Sequence, residues 1–497
     1  MILFSEIPFR EVLIVRQKNA GSGRLRTAFA AFSHPVDLTR GTPWRVILLY
    51  AAPIILSYYL QQIYTLTDAI ICGQVLTAGQ VAGVNDTFPL TFIFLQFAFG
   101  CTAGCVGSGD EDGLRRSFVT QIELSIGISA LLTAVSAALL PQLLALLHIT
   151  EAHGEVYSAA YTYCLVIFLG IFTQIGYNLV CGVLRALGDS FSSLVFLLLS
   201  TVLNVGLDLL FLIPLRMGPM GAAIATVVSQ LVSLIAGVAY TLRRYPALRP
   251  RRGDFRPDAK LAAAHLRQGI PLGLQFSILA IGIIVMQGAV VKFDLTPAGE
   301  MAAGAPAQNG FGAANKLLKF LMAAYTGLGS GLLGYNAQNH GAGDRERIRR
   351  GTLQTLLMML ILTVILTVCG GLLTRGGVYQ RIFLSADKIS EASLRYGNTY
   401  ILVDLALYVL LGLIHVLRNA VQGISRSGYV LAAGIAELVV RSLICAFLPL
   451  LVNGAPIDST ASGAAFAAVC FGDPGAWLAA DLVLAVPTVK YILKKRS

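Results

Sequence analysis

The sequence predicts an all-α polytopic membrane protein, with about twelve transmembrane helices in two six-helix lobes related by a parallel internal repeat. Three observations carry that prediction. The 497 residues are 56% hydrophobic and only 13% charged, with a mean hydropathy of +0.72. The apolar residues gather into about twelve runs long enough to cross a ~30 Å hydrocarbon core. Patterns from the first half return, in order, in the second.

Along the chain the runs fall at roughly 46–72, 82–106, 117–142, 157–182, 190–214 and 220–242 in the first half. The second half supplies 266–292, 309–336, 351–373, 396–422, 428–452 and 463–493, the last interrupted by FGDPG at 471–475. Residues 1–42 form a basic extension without the apolar stretch of a signal peptide. Residues 43–242 are then the N-lobe, 243–262 a basic linker and 263–497 the C-lobe.

Charge placement gives the orientation. Arg and Lys crowd the extension, the linker, the connection at 345–350 and the tail from Lys490 to Arg496. The first, third and eleventh connections carry none, while the ninth departs from the pattern with Arg375, Arg381, Lys388 and Arg395. Cytoplasmic loops are enriched in these residues, so both termini are expected in the cytoplasm of a multi-pass cell-membrane protein. The net charge of +11 is thereby explained by topology, and nucleic-acid binding is not expected. The eight Cys include no CxxC pair and no Cys/His cluster, so neither a metal centre nor a disulfide framework is expected.

The repeat shows in three pairs. SGDEDGLRRS (108–117) matches AGDRERIRRG (342–351), Pro53 matches Pro271, and GVLRALGDS (182–190) echoes NAVQGISRS (419–427). Halves that both start in the cytoplasm and hold six helices are parallel repeats, an architecture typical of secondary transporters. One spacing departs. Asp110 and Asp344 stand 234 apart, whereas Gly104 and Gly331 stand 227 apart. The second helix is therefore expected to lack seven residues, about two turns, at its cytoplasmic end.

The acids inside the apolar runs are where chemistry is expected, because a carboxylate in the bilayer costs about 2.5–3.5 kcal/mol on insertion scales. Asp208 lies in STVLNVGLDLLFLIPL, with Asn204 four residues earlier on the same helical face. Asp68 lies near the outer end of the first run and Thr226 about six residues into the sixth. At 1.5 Å per residue these positions share one depth. Carboxylate, amide and hydroxyl oxygens in one layer suit a proton or a hard monovalent cation. Gln61, Gln62, Tyr64, Asn178 and Asp404 are candidates to line a cavity. Glu437 and Arg441, spaced i,i+4, are expected to neutralise each other as a structural pair. Asp481 is expected to serve packing. No Walker motif, GxSxG or HExxH is present, so the chain is not read as an enzyme, and transport would draw on an ion gradient.

These residues carry a family resemblance. PVDLTRGTPWRVILLYAAPIIL followed by LQQIYTLTDAIICG resembles the opening of multidrug and toxic compound extrusion (MATE) transporters. RALGDS, LNVGLDLLF and MGPMGAAIATVVSQ resemble that family's fourth-to-sixth-helix signature. LRNAVQGISRSG, AGIAELVVRS and FGDPGAWLAADLVL resemble a branch common in anaerobic Gram-positive bacteria. The resemblance covers about residues 36–495. It implies two six-helix lobes that alternate access to a central cavity and export organic cations against inward H+ or Na+. It places the coupling-cation site at Asp68, Asn204, Asp208 and Thr226, with no cofactor beyond the coupling ion. Where some members carry a seventh-helix Glu this chain has Leu279, so a second-lobe cation site is not expected. The expected partners are a small organic cation and membrane lipid, and a monomer suffices. Two alternatives remain at this point: a lipid-linked sugar or polysaccharide flippase of the same superfamily, and a transport-inactive paralogue with a damaged second helix.

Overall fold

The computed structural model describes residues 36–87, 90–95, 97, 111–146, 149–151, 154–256, 258–300, 302, 304–383 and 389–494. Apolar runs without helix-breaking clusters become helices. In chain order these are α1 (Pro43–Val75), α2 (Ala78–Asp86), α3 (Glu111–Ala138), α4 (Leu140–Leu146), α5 (Glu155–Leu169), α6 (Ile171–Ala186), α7 (Ser190–Leu212) and α8 (Gly218–Arg244). Then come α9 (Ala259–Val291), α10 (Pro306–Gly341), α11 (Arg345–Thr374), α12 (Val378–Phe383), α13 (Glu391–Ala406) and α14 (Tyr408–Gly423). The chain closes with α15 (Ser427–Asn453), α16 (Gly463–Cys470) and α17 (Gly472–Pro487). No β-strand occurs among the described residues.

Nine helical stretches are long and apolar enough to span a bilayer, and two bent pairs raise the number to eleven among the described residues. They correspond to eleven of the twelve expected runs. The remaining one, 82–106, begins in α2, and about half of it (88–89, 96 and 98–106) falls outside the described residues. The expected seven-residue shortening lies there too. FGDPG does not break the last span. Pro474 sits in the first turn of α17, where its missing N–H costs no helical hydrogen bond.

The repeat has a structural counterpart. The fourth span of the first half bends by 47° between α5 and α6, and the fourth of the second half bends by 56° between α13 and α14. Neither break contains proline. At the first, Gly170 lets the backbone approach α8 so closely that a Cβ would stand 2.3 Å from Val227 Cγ2. At the second, the Leu407 N–H turns to the Asp404 carbonyl at 3.1 Å, and the helical ladder is interrupted there. Pro53 and Pro271 both lie inside the first helix of their half, α1 and α9.

Two compact units are formed. One runs to Leu274 and includes Ala337–Asp344, and the other comprises Gln275–Asn336 and the chain from Arg345 onward. Lipid-facing surface is legible on α11, where Leu357, Ile361, Val364 and Val368 are exposed at helical spacing. Only 17% of its apolar window is buried, against 61% for α10, so α11 is the peripheral helix of the two.

In the first unit the residues before α1 form a strap. Val36 N–H donates to the Gly188 carbonyl at 3.1 Å, Leu38 N–H to Gln338 Oε1 at 3.2 Å, and Asn339 Nδ2 to the Leu38 carbonyl at 3.0 Å. Gln338 Nε2 also donates to the Ala186 carbonyl at 2.9 Å. The bonds to Ala186 and Gly188 satisfy carbonyls left open where α6 ends.

Candidate functional site

The GDS of GVLRALGDS positions the helix that carries the central acid. Gly188 takes φ +85°, and a Cβ there would lie 2.5 Å from the Val36 carbonyl oxygen, so glycine is required on both counts. Asp189 caps α7 by accepting from Ser192 N–H at 3.0 Å. Its other oxygen accepts from the hydroxyls of Tyr240 (3.2 Å) and Tyr245 (3.0 Å), which fastens α7 to the end of α8. Ser190 Oγ donates to the Tyr50 carbonyl at 3.0 Å and ties α7 to α1. Three consecutive residues thus hold α7 against the two helices that bring Asp68 and Thr226.

About four turns farther along α7, Asn204 and Asp208 are fully buried. Asn204 is satisfied with its amide turned so that Nδ2 donates to Asp208 Oδ2 at 2.9 Å and its oxygen accepts from Thr226 N–H at 3.3 Å. In the opposite orientation the oxygen faces only acceptors, and the amide retains a 3.4 Å contact with Thr226 Oγ1. The hydrogen-bond network therefore assigns the first orientation. Asp68 of α1 meets Asp208 carboxyl to carboxyl, within hydrogen-bonding contact. Tyr64, one turn before Asp68, lies next to Thr226. The four residues that depth counting places in one layer do converge, and Tyr64 joins them.

A hydrogen bond between two carboxyl groups needs a proton on one of them. Asp68 Oδ1 and Asp208 Oδ1 are both buried without a protein partner. Among the described residues, no Arg or Lys is one of the neighbours that shape the electrostatics of either acid; each has the other instead. Two facing carboxyl groups escape mutual repulsion when they share a proton or another cation. Tyr163 of α5 and Cys72 of α1 border Asp68. Cys72 packs with Leu212 and Ala222 in an apolar plug, flanked by Ile71 and Leu76. Among the described residues, no three His, Cys, Asp or Glu side chains gather as a divalent metal would require.

Other candidates lie apart from this layer. Gln61 is exposed and Gln62 and Asn178 are half-buried, and no hydrogen bond joins them to the layer among the described residues. Asp404 is buried in the second unit, beside Tyr400 and Arg441. The expected Glu437–Arg441 pair does not form. Glu437 pairs instead with Arg418 of α14, and Arg441 with Asp473 of α17 at 2.7 Å. Both partners come from neighbouring helices, which spacing along α15 cannot reveal. Asp473 also accepts from the Tyr400 hydroxyl at 2.6 Å, and Asp481 lies buried near Arg418 and Glu437. Sequence reasoning missed Tyr163, Arg418 and Asp473. Only Asp473 left a signal, as an acid inside an apolar run.

Comparison with known proteins identifies the family and the fold. The sequence model of the MatE family matches residues 53–210 and 299–447. The chain is 29% identical over 323 residues to the probable multidrug resistance protein YpnP of Bacillus subtilis, covering 63% of this chain and 68% of that one. It is 24% identical over 433 residues to an FAD transporter of Shewanella oneidensis, covering 83% and 88%. Among solved structures it resembles a MATE protein in complex with MaL6, at TM-score 0.78 and 19% identity, over 92% of this chain and 99% of the other. A MOP superfamily transporter from Pyrococcus furiosus, described as having a binding pocket of reverse polarity, aligns at TM-score 0.79 and 19% identity, over 93% and 99%.

Proposed function

The chain belongs to the MatE family, and from that premise we propose that it is a secondary active antiporter exporting organic cations across the cell membrane in exchange for H+. The observation that carries this reading is the Asp68–Asp208 carboxyl contact, enclosed by Asn204, Thr226 and Tyr64. In the outward-open state the pair takes up a proton, which relieves the repulsion between the acids and favours release of the substrate. In the inward-open state the proton leaves, and the anionic pair favours a cationic substrate. Ion and substrate need not share every ligand, because each only has to bias the same conformational equilibrium. The names of the Bacillus and Staphylococcus relatives, multidrug resistance and multidrug export proteins, support drug export, and the acidic layer supports a cationic substrate. Both termini face the cytoplasm on the placement of Arg and Lys, and one chain suffices for the cycle.

Asn204 favours H+ over Na+. Its Nδ2 donates to Asp208 and its oxygen accepts from Thr226 N–H, so a metal ion would have to share that oxygen with a hydrogen bond already made, whereas a proton on the carboxyl pair needs no ligand from Asn204.

Ethidium efflux from a pump-deficient bacterial host tests the proposal, with wild type, Asp68→Asn and Asp208→Asn at matched membrane levels. The expected result is efflux by wild type with or without Na+, and none above the empty host by either variant. Undiminished efflux by Asp208→Asn contradicts it, and strict Na+ dependence contradicts the choice of ion.

A further inference from the structure

The connection between α8 and α9 is pinned to the protein on one side and presents an unusual combination of side chains on the other. Asp254 is buried, and its Oδ2 accepts from Arg115 Nε at 2.6 Å and from Arg251 N–H at 2.7 Å. Arg115 is held in turn by Asp112 at 2.8 Å. Tyr245 and Leu248 are buried against α3 and α6 in one apolar cluster. The connection is therefore anchored at its start and at its middle. Between those anchors and α9 it makes one turn of 3-10 helix, Arg252–Phe255.

That turn projects Phe255, which is 53% exposed, between the exposed side chains of Arg252 and Arg256. Arg243, Arg244 and Lys260 are exposed at the adjoining ends of α8 and α9. Among the described residues, Arg252, Arg256 and Lys260 form no ion pair, since the nearby Asp254 is spent on Arg115. Asp258 accepts from the N–H groups of Lys260 and Leu261 at the start of α9. A bare phenyl ring between unpaired arginines is poorly placed for water. It is well placed for a bilayer interface, where rings sit at headgroup level and guanidinium groups take phosphate oxygens. The turn stands eight residues after the end of α8 at Arg244 and four before the start of α9 at Ala259, two helices long and apolar enough to span a bilayer, so it belongs to the short connection on one side of the membrane.

We propose that residues 251–256 form an anionic-phospholipid anchor, with Phe255 inserted at headgroup level and Arg252 and Arg256 engaging lipid phosphates. The leaflet, the cytoplasmic one, rests on the orientation proposed above. The lipid preference does not, because reconstituted vesicles can carry the same lipid in both leaflets. Transport plays no part in the readout, so failure of the antiport reading leaves this test intact.

The test introduces Phe255→Trp and records the emission it adds to that of the parent protein. Reconstitution is into vesicles containing brominated phosphatidylglycerol or brominated phosphatidylcholine. The expected result is quenching by both lipids with a clear preference for phosphatidylglycerol, which Arg252→Gln with Arg256→Gln removes. A lipid attraction of about 1 kcal/mol per arginine corresponds to roughly five-fold in the preference for each residue lost. These residues are exposed and make no ion pair, so the variants fold. Equal quenching by the two lipids in the parent overturns the headgroup assignment, and no quenching by either overturns the anchor.

Discussion

Both halves of this molecule bury acids inside apolar helices, but they complete them differently. In the second half Asp404, Glu437, Asp473 and Asp481 each have an arginine beside them. Asp473 and Asp404 lie at Arg441, and Glu437 and Asp481 at Arg418. In the first half Asp68 and Asp208 face one another with the neutral Asn204 amide donating to Asp208, and no Arg or Lys shapes either acid among the described residues. A fixed cation makes a carboxylate part of the scaffold, because removing either partner leaves a buried charge uncompensated. A carboxyl facing another carboxyl has no such fixed partner, which is why the proposed function assigns coupling to the first-half pair and architecture to the second-half acids.

The contrast can be broken in several places. The largest effect is expected at the coupling pair. Asp68→Asn and Asp208→Asn should reduce ethidium efflux to the level of the empty host while leaving thermal stability in detergent close to wild type. Conversely, Arg418→Met should leave Glu437 stranded and cost about 3–5 kcal/mol, seen as a loss of thermal stability and membrane yield. Pairing it with Glu437→Leu should recover most of that loss; a double variant as unstable as the single one would show that the pair does more than neutralise charge.

A smaller effect is expected where α7 is fastened. Asp189→Ala removes a helix cap and two tyrosine hydroxyl bonds, and should cost about 1–2 kcal/mol by thermal unfolding. Transport by the surviving folded protein should fall as well, because α7 carries Asp208. Unchanged transport per folded molecule would place the fastening outside the coupling machinery.

The smallest effect concerns Asp254. The hydrogen bond from Arg115, with that from the Arg251 backbone, holds its carboxyl below the usual carboxylate range. The stability this confers is present above the ordinary carboxylate range and is lost as pH falls through the lowered folded value. Asp254→Asn should therefore be less stable than wild type near neutral pH, with the difference closing in acid. A difference that persists unchanged into acid would mean that packing of the turn, not ionisation, is responsible.

Much of this was legible in the sequence because the bilayer imposes length and polarity so strictly. Eleven spans follow from apolar runs alone, and the Asp68–Asn204–Asp208–Thr226 layer follows from counting rise per residue along α1, α7 and α8. What could not be read depended on contacts between helices. The bends at Gly170 and Leu407 have no proline to announce them, and the first exists because glycine lets α8 approach. Glu437 and Arg441 have the spacing of a pair, yet each finds a closer partner on α14 or α17. Tyr163 borders Asp68 only because of how α5 packs, and no motif around it signals that. The GDS turn was visible as a repeated pattern, whereas its task, holding α7 against α1 and α8, needed coordinates.

The most direct measurement is proton release on substrate binding. Purified protein in weakly buffered detergent solution, with a pH indicator, would be mixed with tetraphenylphosphonium. Wild type should release a proton as the cation binds, and Asp68→Asn and Asp208→Asn should not. Equal release from both variants, or saturable binding with no release by wild type, would contradict the claim that this carboxyl pair is the coupling site.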